Sequence, residues 1–172
     1  MQSTCGLQAN YLQNTSYQLV LPRFPHVQYY NTSFSLPDVQ LPAAVMATPF
    51  VDIPIAGDKP IFGPLVFQFI VTDDLQNYEE ILKWINSIGF SDSYDSYTNY
   101  IANDDRKLSK LGEQDAKVIF LSNKSNPTRT ITFYDAIPVS LSSMTTFTSQ
   151  TDGIQYVMAT VTMRYTRFEF TS

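Results

Sequence analysis

The chain has 172 residues, a formal net charge of −5, 44% hydrophobic and 14% aromatic residues, but only 16% charged ones, against about 25% in ordinary soluble domains. The scattered cations Arg106, Lys107 and Lys110 make no face able to neutralise a nucleic-acid backbone, and a lone Cys5 excludes a disulfide framework and a thiolate metal site. No apolar run approaches the ~20 residues that span a bilayer. One domain of this length buries a core unaided, and a surface with few charges but many Phe and Tyr matches the core of a protein–protein interface. Composition therefore points to an oligomer.

Residues 1–14 read as an N-terminal extension. The opening Met-Gln-Ser-Thr-Cys-Gly-Leu lacks a basic region followed by an apolar run, so no secretory leader is expected and folding in a cytoplasm is. Tyr17 to Leu21 and Val27 to Leu36 are rich in β-branched and aromatic types, are broken by Pro22, Pro25 and Pro37, and read as strands. Leu36 to Pro64 carries six prolines yet also Val39, Leu41, Val45, Met46, Phe50, Val51, Ile53, Ile55, Ile61 and Phe62. Prolines bar it from the middle of a sheet, and disordered linkers do not hold so many large apolar groups. It reads as an extended arm over 42–64 that packs on something; the alternative is a loop folded back over its own core.

Leu65 to Thr72 alternates, with Leu65, Phe67, Phe69 and Val71 on one face. A helix follows over 74–88, with Asp73 or Asp74 as cap, Glu79 and Glu80 near its positive end and Gly89 as stop. Tyr78, Ile81, Leu82, Ile85 and Ile88 form its expected buried stripe, with Trp84 at the edge. Residues 91–116 read as a surface loop, polar over 91–99, with a short helix at Asp104 to Gly112. Lys117 to Leu121 and Thr130 to Tyr134 are strands joined by a turn through Asn123 to Pro127. The closing strand alternates through Val157, Ala159, Val161, Met163 and Tyr165, after which the apolar parity shifts to Phe168 and Phe170, as at a bulge or a second buried face.

Nothing in the chain reads as catalytic. His26 is the only histidine, and six glycines include no phosphate loop. No acyl-transfer motif is present. The pairs Asp73/Asp74 and Glu79/Glu80 fit helix capping and dipole complementation, and Asp92 and Asp95 lack the calcium-loop pattern. No enzyme activity, cofactor or metal is expected.

The order of elements carries a resemblance: a strand, a proline-rich arm with Leu36-Pro37 and Leu41-Pro42, then Ala56-Gly57-Asp58, a strand, and a helix containing Glu80-Ile-Leu-Lys-Trp84-Ile. This resembles the tail tube proteins of T4-like phages, over roughly residues 15 to 170, with Gly57, Asp58 and Trp84 as point correspondences. In that family the arm ends in a similar Gly-Asp turn. The N-terminal extension and the 91–99 loop depart from the pattern, as in a single-ring tube initiator or terminator of the same fold. The resemblance implies a single mainly β (α+β) domain: a two-sheet β-sandwich or half-barrel with one flanking helix and a long hairpin arm. It implies a subunit of the inner tube of a contractile tail, built as stacked homohexameric rings, folded in the host cytoplasm and resident in the virion. The partners would be further copies, the tail sheath protein, the baseplate hub or tube initiator, and in the lumen the tape measure protein and transiting DNA without specific binding; no membrane is involved. Met46, Phe50, Ile53, Ile55, Gly57, Asp58, Ile61 and Phe62 become the candidate assembly contacts, and the acidic balance would give a lumen that repels DNA. A β-sandwich binding module, recognising a partner through Tyr94, Tyr97 and Tyr100, is the reading from a different class.

Overall fold

Strand β7 (Leu65–Ile70) illustrates how the body is built. Leu65, Phe67 and Phe69 are fully or almost fully buried while Val66, Gln68 and Ile70 are half-buried on the other side, the period-2 pattern of a sheet with one face on a core. The computed structural model describes residues 12, 16–22, 24–89, 95, 114–146, 153 and 155–171. In chain order the elements around β7 are β1 (Tyr17–Val20), α1 (Pro25–Tyr29), β2 (Asn31–Ser35), β3 (Val39–Gln40), β4 (Ala43–Met46), β5 (Ile53–Ala56) and β6 (Ile61–Phe62). After it come α2 (Gln76–Gly89), β8 (Gln114–Leu121), β9 (Pro127–Leu141), β10 (Met158–Arg164) and β11 (Arg167–Thr171).

The body is an antiparallel path β1-β8-β9-β10-β7-β2, with β11 also on β9. The 15-residue β9 belongs to two sheets. Its first part pairs with β8 and β11, and from Ile137 to Leu141 it pairs with β10. Between the two parts Asp135 takes φ 57°, a left-handed conformation that a short polar side chain tolerates better than most, and the β8 register slips beside it. That kink folds the path into a half-barrel. Its end strands β1 and β2 come near each other through side chains: the Tyr17 hydroxyl donates to Asn31 Oδ1 at 2.8 Å, and the Tyr17 and Phe34 rings lie 5.8 Å apart. No ladder joins them, so the barrel stays open.

Helices α1 and α2 pack together beside this half-barrel, and Val27, Ile81 and Trp84 join Leu19, Phe67, Ile131, Phe133 and Val161 in one core. Residues 27–36 are not one strand, as their composition predicts. Pro25 sits in the first turn of α1, where its missing N–H costs nothing, and burying Val27 overrides a local β preference. The stripe of α2 is also rotated from the expected one. Trp84 is in the core, stacked on Phe24 at 4.8 Å, whereas Leu82 is exposed. Asp74 is the capping aspartate: its Oδ1 accepts the Gln76 N–H at 3.2 Å. The helix runs from Gln76 to Gly89 rather than over 74–88, and β8 already begins at Gln114, inside the expected loop. Most of that loop, with Tyr94, Tyr97, Tyr100 and the short helix at 104–112, lies outside the described residues; Asp95 is described as helical and exposed. After Arg164 the chain turns through Thr166, whose N–H reaches Tyr134 O at 3.0 Å, and β11 enters the other sheet. The shift of apolar parity at Phe168 and Phe170 is this change of sheet. No helix among the described residues is long and apolar enough to cross a membrane.

Candidate assembly interface

The proline-rich segment forms a two-stranded arm in two rungs. At the base Val39 and Gln40 pair with Phe62 and Ile61; further out Ala43 to Met46 pair with Ala56 to Ile53. A two-stranded ribbon has no middle, so prolines are tolerated. Gly57 donates its N–H to Pro42 O at 2.8 Å. Since bonded pairs alternate along an antiparallel ladder, Pro54, opposite Val45, turns its missing N–H outward. The return strand carries extra residues at Asp58 and Lys59, between Gly57 and Pro60. Gly57-Asp58 therefore marks a bulge within the arm, not its end, and glycine is required there because a methyl group would run into the Pro42 carbonyl.

The arm ends at residues 47–52, where the Thr48 hydroxyl donates to Val51 O and accepts the Val51 N–H. Phe50 projects from this closed turn and is 95% exposed. Cross-strand partners share a face, so Met46 with Ile53 and Ala44 with Ile55 present one apolar side. Met46, Ile53, Ile55 and Ile61 are all exposed. Phe62 differs from the other candidate residues. Its ring packs 5.5 Å from Phe168 and 6.1 Å from Tyr165, anchoring the arm base on the body. Of the eight candidates, five are exposed apolar side chains on the outer arm or its base, Gly57 and Asp58 shape the arm, and Phe62 roots it.

Two further surfaces went unrecognised in the sequence. An apolar groove of about 430 Å³ lies between the β8–β9 turn, β11 and the start of the arm, lined by Leu12, Leu36, Phe120, Ile131 and Phe170 with Arg129. Phe170 is 60% exposed beside it; the parity shift at the chain's end was the one available sign. The second surface is the outward face of β2, β7 and β10. Register places Ser33, Gln68 and Thr160 in one row across it, and Ser35, Val66, Thr162 and Ser140 in the next. Arg164 is the single formal charge in these rows and the one beside them, so the net acidity of the chain does not come from this face. His26 takes part in none of these surfaces: its Nε2 lies 3.8 Å from Glu80 Oε1 at the junction of α1 and α2.

No family model matches the chain, and no curated protein matches it. Solved structures do. The sheath/tube terminator of an extracellular contractile injection system, PVC, in its extended state superposes with a TM-score of 0.63 at 13% identity, over 96% of this chain and 100% of that one. The tube-terminating cap of the anti-feeding prophage gives 0.62 at 11% identity, over 97% and 95%. The six-fold symmetrised baseplate of the same prophage gives 0.57 at 15% identity, over 99% and 97%. The chain has the tail-tube-like fold. At these identities the likeness speaks for the fold alone.

Proposed function

We propose that this protein is a structural subunit, not an enzyme, of the inner tube of a contractile tail: a homohexameric ring that stacks on further rings inside a sheath. The observation that carries this reading is the arm. Large apolar side chains stay in water along its whole length, an arrangement with a free-energy cost of about 25 cal/mol for every Å² of apolar surface that finds no partner. The edges of β1, β2 and β11, unpaired among the described residues, support it, since unpaired strand edges are an aggregation hazard unless a neighbour covers them. The six-fold symmetrised baseplate among the similar structures supports six copies per ring.

Within this reading the machine is a T4-like phage tail. The subunit folds in the host cytoplasm, starts on a baseplate hub or initiator, is covered by the sheath protein and becomes part of the virion. The channel holds the tape measure protein and then passes DNA. The outward face of β2, β7 and β10 suits a channel wall: apart from Arg164 at its edge it offers hydroxyls and amides, so a sliding polyanion gains little counterion release by binding there. An acidic lumen, the expectation from net charge, would have to come from other surfaces.

The arm makes the test. Replacing residues 43–56 by a short Gly-Ser turn leaves the basal rung and its Phe62 anchor in place. The expected product is a folded monomer by circular dichroism and light scattering, under conditions where the full chain assembles. A variant that unfolds would make the outer arm part of the core, and one that still assembles would remove the arm from the interface.

A further inference from the structure

We propose that the arm tip of one copy seats in the apolar groove of a neighbouring copy, with Phe50 entering between Phe120 and Phe170 and Asp52 meeting Arg129. This rests on the assembly reading above and supplies the arm with its receptor.

Rings and filaments built head to tail need two different, complementary patches on the same chain. The tip and the groove are such a pair. Phe50 is 95% exposed and so does not fill the groove of its own chain. The groove, at about 430 Å³ and lined by Leu36, Phe120, Ile131 and Phe170, is roomy enough for a benzyl group and the flanking Val51. Charge complements shape: Asp52 stands beside the knob and Arg129 beside the hole, and neither has an ion-pair partner among the described residues. The Thr48 hydroxyl closes the tip through Val51, so the knob is held in shape before it docks and loses little freedom on binding. A buried aromatic anchor with a charged pair at its rim is the common anatomy of an interface hot spot.

Reversal of the charges tests the pairing. Asp52→Arg and Arg129→Asp are expected each to raise the concentration at half-assembly about fivefold, as a rim ion pair turned into a repulsion should, and the double variant to return it towards wild type. Phe50→Ser is expected to raise it by roughly tenfold or more. All four positions of the test are exposed or at the groove, and an unchanged melting temperature of each variant monomer would establish that the fold is kept. In a Cys5→Ser background, oxidised Phe50→Cys/Phe170→Cys protein should run as a ladder of linked chains. Intramolecular disulfides, single swaps without effect, or a double swap that recovers nothing would overturn the docking. If the wild-type chain itself fails to assemble, the docking falls together with the tube reading. Loss of assembly on arm deletion with indifferent swaps would remove the docking alone.

Discussion

Glu80 shows how a single side chain reports on the junction between α1 and α2. Its Oε2 is buried without a hydrogen-bond partner, and desolvation raises its pKa above the ordinary 4.5, outweighing the attraction of His26 and Lys83. A carboxyl group whose pKa is raised by folding leaves stability untouched while it is protonated in both states; stability is lost as pH climbs from the ordinary value to the raised one, and the full loss persists above it. Glu80→Gln is therefore expected to melt with the wild type near pH 4 and above it at pH 7 to 8; equal shifts at both pH values would contradict this. Asn77 was the side chain least legible in the sequence. A buried amide within an apolar stripe has no periodicity of its own, yet its Nδ2 donates to Ile70 O at 2.8 Å and its Oδ1 accepts the Thr72 N–H at 3.3 Å. These bonds tie the start of α2 to the end of β7 and rotate the helix so that Trp84, rather than Leu82, enters the core. The rotation was invisible because the partners of Asn77 are two backbone groups and the Thr72 hydroxyl, a pairing that residue type does not reveal.

At the scale of elements, what could be read depended on whether local pattern or distant packing decided the outcome. The alternation of Leu65, Phe67 and Phe69 was sufficient for β7, because a strand with one buried face imprints its period on the sequence. The five-residue α1 was not readable in the same way, being too short to be stable as an isolated helix. It exists because Phe24 and Val27 dock on the core beside Trp84. The arm was legible as extended and apolar from its prolines, but its tip was not, since Gly57-Asp58 has the composition of a turn while serving as a bulge. Phe62 anchors the arm on the body. Phe62→Ala is expected to leave the half-barrel folded, at a cost of about 1–3 kcal/mol, while hydrogen exchange at the Gly57 and Gly63 amides accelerates. Those amides bond across the arm to Pro42 O and Asp38 O at 2.8 and 2.9 Å. Unchanged exchange at both would mean that the ribbon holds itself together without the aromatic contact to Tyr165 and Phe168.

For the molecule as a whole, the scarcity of charge becomes intelligible. Among the described residues, exposed carboxylates lie on the arm at Asp38, Asp52 and Asp58, at the start of α2 at Asp73, Asp74 and Glu79, and at Asp95 and Glu169, while the broad face of β2, β7 and β10 is hydroxyl- and amide-rich. Among the described residues, the arm, the groove beside Phe170 and the unpaired edges of β1, β2 and β11 are surfaces that a single copy leaves uncovered. Composition already carried the message that such surfaces would exist. It could not say where they lie, because the groove joins residues from the arm's start, β8, β9 and β11, which the pairing of β8 and β11 on either side of β9 brings together. Assembly requires these surfaces to close against further copies of the chain. Negative-stain electron microscopy of the purified protein across a concentration series, with light scattering for mass, measures that directly. Six-membered rings with a central hole that stack into tubes as concentration rises are expected; isolated rings that never stack would reassign the chain to a single-ring initiator or terminator. A protein that remains monomeric at every concentration would overturn the reading of the chain as a self-assembling tube subunit.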